Sequence, residues 1–241
     1  MATLNESRFR AAVKTAQAKE VCMNAFDAAF FSQTSSIGTD GLGSCSVVLI
    51  VSPYAAILGH VAPQPDNADG NDPYAGDNHV RHFMDRLTKY YVQCQNFFPN
   101  SPYSWVVCAV FGNSVALPDQ QNIMETTLRA VNLNVDTSKT YPVPTLRDHP
   151  DRGSVFVDAR GSTIQVYVEG SVVKEIPKVS ASTTAQSYAT SSSNTPLTTM
   201  PSMTTLPQQQ TQQIPSSWTW SPQHKLYYRK VGNEVVWSRP S

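Results

Sequence analysis

The spacing of apolar and polar positions changes several times along the chain, and each change marks an element. Ser46-Val47-Val48-Leu49-Ile50-Val51 is an unbroken apolar run rich in β-branched residues, and Ala55-Ala56-Ile57-Leu58-Gly59-His60 is a second such run after a Ser52-Pro53 turn. Two segments of strand length joined by turn residues predict a β-hairpin. With Ser52 and Pro53 as the central pair, Cys45 opposes His60; if the turn closes one residue later, the two become diagonal neighbours on one face. Either register brings a thiol and an imidazole within side-chain reach.

Other patterns fill in around this hairpin. Residues 4–24 carry good helix formers and a sparse apolar stripe through Phe9, Val13, Ala16 and Val21, which predicts a helix. Phe26, Ala28, Ala29, Phe30 and Phe31 form a cluster suited to core packing. Residues 62–77 are rich in Pro, Asn, Asp and Gly and predict a loop that rims the hairpin's end. Val80, Phe83, Met84, Leu87, Tyr90, Tyr91 and Cys94 recur at three and four, so an amphipathic helix capped by Asp77 or Asn78 runs to about Phe97. The apolar run 104–112 predicts a central strand, and Pro118 opens a second helix to about Asn132. From Thr140 the pattern is extended, with a hairpin over 153–168 turning at Arg160-Gly161-Ser162 and a last strand over Val172 to Ile176.

Charge and cysteine content narrow the classes. The 241 residues hold 18 Lys+Arg and 18 Asp+Glu, a formal charge of zero, and no basic run, so nothing supports a nucleic-acid or anionic-membrane partner. The four cysteines, Cys22, Cys45, Cys94 and Cys108, lie far apart without a C-x-x-C pattern and read as reduced thiols. Met1 to Lys19 lacks the apolar core of a signal peptide, and no stretch reaches transmembrane length. These features place the protein in the cytoplasm or the nucleus. No metal site is expected: Asp66, Asp69, Asp72 and Asp77 lack the EF-hand order, and His79 and His82, three apart near Asp77, lack a completing cluster.

The chemistry concentrates at Thr39-Asp40-Gly41-Leu42-Gly43-Ser44-Cys45. Gly41 and Gly43 permit positive φ and close approach of a substrate, and the backbone N–H groups of Gly43 and Ser44 can form an oxyanion hole. A thiol becomes nucleophilic beside an imidazolium or backbone dipoles, His60 can then protonate a leaving group, and Thr39 can orient the ring. A buried cysteine is ordinarily a small hydrophobe, so spacing alone indicates no more than thiol-dependent acyl chemistry.

At Leu42-Gly43-Ser44-Cys45, the apolar strand after it, and Gly59-His60 with Pro63, the chain resembles the CheD-type chemoreceptor glutamine deamidases. It is more distantly similar to deamidating toxins with a Gly-Cys turn and a following histidine. The resemblance extends over about residues 39–170, through Arg147-Asp148, Arg152-Gly153 and Val155-Phe156-Val157-Asp158-Ala159-Arg160-Gly161. It implies a catalytic trio at Thr39, Cys45 and His60, no cofactor, and a protein substrate bearing an exposed glutamine. The chain departs from that family at His149-Pro150, where a glycine pair usually follows the aspartate, which implies a remodelled loop.

The expected architecture is α+β, with packed mixed β-sheets flanked by helices over residues 1–176. A Ser/Thr/Gln/Pro tract over 177–214 cannot bury enough surface to offset ordering entropy and reads as a disordered linker. Residues 215–241 resemble a WW module, with a hairpin turned at Gly232-Asn233. That resemblance implies a Pro-rich peptide clamped by Tyr228 and Trp237, although the 23 residues from Trp218 to Pro240 are short for three strands.

Overall fold

A computed structural model describes residues 6–68, 71–99, 101–143 and 149–178, together with three strand backbones between 219 and 237. The chain divides into two units between Thr190 and Ser191. In the first, the elements run α1 (Arg8–Lys14), β1 (Lys19–Glu20), β2 (Ala25–Phe30), β3 (Ser36–Thr39), β4 (Ser46–Val51), β5 (Ala55–Val61) and α2 (Ala75–Gln93). They continue with β6 (Tyr103–Phe111), β7 (Ser114–Val115), α3 (Pro118–Ala130), β8 (Asn134–Val135), β9 (Lys139–Pro142), β10 (Val155–Asp158), β11 (Thr163–Val168) and β12 (Ser171–Pro177).

The strands make two mixed sheets. One has the order β1-β3-β10-β11-β12; the other has the order β2-β5-β4-β6-β7, with β8 and β9 parallel to β6. Strand alternation gives each sheet two faces. Val47, Leu49, Leu58 and Val107 of the larger sheet pack against Ile37, Val155, Val157 and Val166 of the smaller one. The opposite face of the larger sheet, with Val48, Ile50, Ile57 and Val106, meets Phe83, Met84 and Leu87 of α2 and Met124 and Leu128 of α3. Phe9 and Ala12 of α1 cover Phe156 and Tyr167 on the outer face of the smaller sheet. The result is four layers, helix, sheet, sheet and helices, with most of the core between the sheets.

The helix opened by Pro118 and the strands at 46–51, 55–61, 103–111, 155–158 and 163–168 follow the sequence patterns. The amphipathic helix α2 is present, but its N-cap is Tyr74 rather than Asp77 or Asn78, which lie inside its first turn, and it ends at Gln93 before a separate 3-10 turn over Gln95–Phe97. The N-terminal helix departs from its pattern. It ends at Lys14, because Ala16 turns left-handed (φ 54°) and the Gln17 and Ala18 N–H groups fold back onto the Ala12 carbonyl at 2.9 and 3.2 Å. Lys19–Glu20 then pairs with Ile37 and Gly38 of β3, so sheet pairing overrides the local helix propensity expected to Asn24.

In the second unit, β13 (Thr219–Ser221), β14 (Leu226–Val231) and β15 (Glu234–Trp237) form an antiparallel sheet in that order. The hairpin strands fall where the sequence places them, and the short segment before them adds a third strand. Tyr228 lies in register with Thr219 on one side and Trp237 on the other. The linker through residue 214 lies, apart from Pro177 and Lys178, outside the described residues, as do Arg147-Asp148 and the Gly232-Asn233 turn. No helix among the described residues is long and apolar enough to cross a membrane.

Candidate active site

The β4–β5 register pairs Ser46 with Val61 and Val47 with His60. The turn therefore closes around Pro53-Tyr54, with Ser52 N–H donating to the Ala55 carbonyl at 2.9 Å. This is the later of the two expected registers. Carried one residue further, it sets Cys45 opposite Ala62, so Cys45 and His60 are diagonal on one face, a relation in which residues lie about 7–8 Å apart and their Cβ atoms somewhat closer.

A pair of glycines explains why the histidine and threonine face the same space. A Cβ on Gly59 would lie 2.6 Å from Leu87 Cδ1 and 3.0 Å from Phe83, so that glycine lets α2 close onto the larger sheet. A Cβ on Gly38 would lie 2.6 Å from Phe9 Cδ2, so that glycine does the same for α1 on the smaller sheet. In each strand the next residue points the other way. His60 follows Gly59 and Thr39 follows Gly38, and the two side chains meet between the sheets at 2.7 Å, Thr39 Oγ1 to His60 Nδ1.

That contact fixes the tautomer. The Thr39 hydroxyl has one hydrogen and gives it to the Val21 carbonyl at 2.7 Å, so its oxygen accepts from the ring, and the proton sits on Nδ1. His60 Nε2 is then a lone pair; it is buried and has no hydrogen-bond partner. A buried nitrogen without a protein partner is uncommon in a folded chain and calls for an explanation beyond packing.

Both reactive groups rest uncharged. Burial pushes the His60 ring down to about 4, against a smaller upward pull from Asp40. Cys45 is only 7% exposed, and burial pushes its thiol up while the Gly43 N–H pulls it the other way. The resting state is therefore a neutral thiol and a neutral imidazole, and of the two thiolate-favouring influences expected from the sequence, an imidazolium or backbone dipoles, the one acting on the resting sulfur is the Gly43 N–H. A ring that is neutral at pH 7, with its lone pair on Nε2, is equipped to accept a proton.

The cysteine loop is held from several sides. The buried Tyr141 hydroxyl on β9 donates to the Cys45 carbonyl at 2.6 Å. Leu42 N–H donates to the Gly153 carbonyl at 3.0 Å, and Gly153 needs its φ of +63° and lack of side chain because a Cβ would lie 2.5 Å from Leu42 O. Arg10 of α1 donates from two nitrogens to both carboxylate oxygens of Asp40. Beyond His60, the Asn24 side-chain oxygen accepts from Ala62 N–H at 3.0 Å and from His79 Nε2 at 2.9 Å. His79 is thus engaged in fixing the backbone next to the site, and no group of metal-binding side chains occurs among the described residues.

Sequence reasoning brought out Thr39, Cys45, His60 and the Gly43-Ser44 turn, and missed Tyr141, Asn24, Arg10 and the Val21 carbonyl. Nothing local flags those four, because each acts through a partner distant in sequence. Models of protein families give no match to this chain, and comparison with curated proteins gives none either.

Proposed function

We propose that the protein is a thiol-dependent hydrolase that deamidates a glutamine side chain of a protein substrate. The reading rests above all on the His60 ring, held through Nδ1 by Thr39 with Nε2 bare, on the sheet face that also carries Cys45. His60 Nε2 takes the Cys45 proton as the sulfur attacks the amide carbon, and Thr39 keeps the ring aligned. Backbone N–H groups at Gly43-Ser44 receive the negative charge on the carbonyl oxygen. His60 returns the proton to the departing nitrogen, ammonia leaves, and a thioester joins substrate to Cys45. Water, deprotonated by His60, then attacks the thioester, giving glutamate and the free thiol. The steps draw on two side chains, the backbone N–H groups of the cysteine turn, and water. Glutamine as substrate, and kinship of fold with the CheD-type deamidases, come from the resemblance around Leu42–Cys45 and Gly59-His60.

A rival reading is favoured by the burial of Cys45: an idle scaffold that keeps the fold and binds proteins, in part through Tyr228 and Trp237 of the tail. Ammonia release from glutamine-bearing proteins separates the two. The deamidase reading expects release that disappears in Cys45→Ala; no release from a broad set of proteins favours the scaffold.

A further inference from the structure

Cys45 stands just outside the ladder of the strand that follows it, and its backbone carbonyl finds a partner two strands away. Val107 of β6 pairs with Val47 of β4 and with Lys139 of β9, and Val110 pairs with Val115 of β7 and with Pro142 of β9. A strand has two hydrogen-bonding edges, so β4 and β7 share one edge of β6 and β9 holds the other. The shared edge passes from β4 to β7 where Cys45 would join it. Extended by two residues, the β4–β6 register sets Cys45 opposite Ala109, yet the Ala109 carbonyl accepts from the Ala116 N–H at 2.9 Å.

A buried carbonyl at such a junction needs another donor. Ala109 also pairs with Tyr141 of β9, so Cys45, Ala109 and Tyr141 form one row across the sheet, and all three pack in the core between the sheets. Over the small Ala109 side chain the Tyr141 ring reaches Cys45, and its hydroxyl donates to the Cys45 carbonyl at 2.6 Å. Tyr141 is fully buried, and burial pushes its phenol above the ordinary value, so the hydroxyl keeps its hydrogen at neutral pH.

The turn before Cys45 is left outside the sheet. Among the described residues no backbone carbonyl accepts from the Gly43 or Ser44 N–H, and the Gly43 N–H acts on the Cys45 sulfur. A Cβ on Gly43 would meet nothing within 4 Å. Two donors unused by the ladder thus sit beside the reacting atom, with open space at Gly43.

We propose that Tyr141 is a positioning residue: by capping the Cys45 carbonyl it holds the turn in the geometry in which the Gly43 and Ser44 N–H groups receive an oxyanion. The inference rests on the hydrolase reading for acyl chemistry at the sulfur and is independent of glutamine as the substrate. It gives β9, which supplies no group to the reaction, control over the oxyanion hole.

Tyr141→Phe removes one oxygen and keeps the ring that fills the core. Two reagents read the result on the full chain, with modification of Cys45 mapped by mass spectrometry. p-Nitrophenyl acetate acylates the sulfur through an oxyanion: the S–C bond forms, the ester C–O bond breaks, and the thiol proton leaves with the nitrophenol. Iodoacetamide alkylates it by displacing iodide, with no oxyanion. Tyr141→Phe should slow acylation about 10- to 100-fold, no more than loss of a direct oxyanion donor costs, and leave alkylation within about twofold of wild type. Equal slowing of both reactions reduces Tyr141 to packing, and unchanged acylation removes it from the site. Either result overturns the positioning role, while ammonia release by wild type keeps the deamidase reading standing. Selective slowing of acylation in a chain that releases no ammonia supports the positioning role and overturns glutamine as the substrate. A wild-type Cys45 that the ester fails to acylate overturns the positioning role whether or not ammonia is released.

Discussion

The two faces of the larger sheet each bury a cysteine, and the contrast between them separates packing from chemistry. Cys108 of β6 lies on the face that meets α2 and α3; burial pushes its thiol up to about 11, and its polar contact is the Ser46 hydroxyl at 3.9 Å. Cys45 precedes Ser46, so alternation turns it to the face between the sheets, where it shares a surface with His60. One step along the chain thus exchanges a helix-covered hydrophobic pocket for the neighbourhood of a bare imidazole nitrogen. Burial is common to both sulfurs; the charged group felt by Cys108 is the Glu125 carboxylate, which disfavours its thiolate further, whereas Cys45 has an imidazole on its own face.

Thiol reactivity tests this contrast most strongly. With iodoacetamide and mass-spectrometric mapping, Cys45 should alkylate and Cys108 should not, and exposed Cys22 should react independently of His60. Because burial raises the Cys45 thiol, its rate should climb with pH through the alkaline range. His60→Ala should slow it about 100-fold, the lower end of what a positioned base contributes. Equal protection of Cys45 and Cys108 at every pH would erase the distinction.

The histidine also makes stability depend on pH in a definite direction. Its folded value is depressed to about 4 from an ordinary 6.5, so the unfolded chain takes up a proton first as pH falls. Stability from the neutral ring is present above pH 6.5 and is lost between 6.5 and about 4, below which both states are protonated. The full span corresponds to about 3 kcal/mol. Urea unfolding of wild type and His60→Gln across that interval measures it: the variant should show a shallower decline, and parallel curves would mean the ring titrates normally. Thr39→Val is expected to be somewhat weaker, costing about 2 kcal/mol by leaving the buried Val21 carbonyl and His60 Nδ1 without their partner. Nitrogen NMR of the ring should show the proton on Nδ1 in wild type and a mixed tautomer in that variant.

How much of this was legible in the sequence depended on the range of each interaction. The hairpin, the amphipathic helix from Ala75 and the long strand to Phe111 are written in local periodicity, and so was the shared face of Cys45 and His60 in either turn register. Thr39 could be named only as a partner six residues before the cysteine; its place opposite His60 depends on the packing of two sheets. The N-terminal segment was misread because pairing with β3 competes with helix propensity and wins. Tyr141 lies 96 residues from the carbonyl it holds, and no spacing rule reaches that far. The neutrality of His60 follows from burial, which a linear pattern does not contain, so the sequence left an imidazolium and backbone dipoles as open alternatives.

The smallest expected effect bears on why the site residues point inward at all. Gly59→Ala places a methyl against Leu87 Cδ1 and the Phe83 ring, both terminal parts of side chains that can yield. The cost should therefore be about 1–2 kcal/mol rather than a failure to fold. Because the added methyl lies on the helix face, strain should pass into α2 and leave the Thr39–His60 contact intact. Unfolding measurements should register the loss, while the ring proton stays on Nδ1 and the ratio of Cys45 to Cys22 alkylation holds. A Gly59→Ala chain that loses the Nδ1 proton or the Cys45 reactivity along with its stability would show that helix docking and ring placement are one structural unit, and the two faces would no longer be separable.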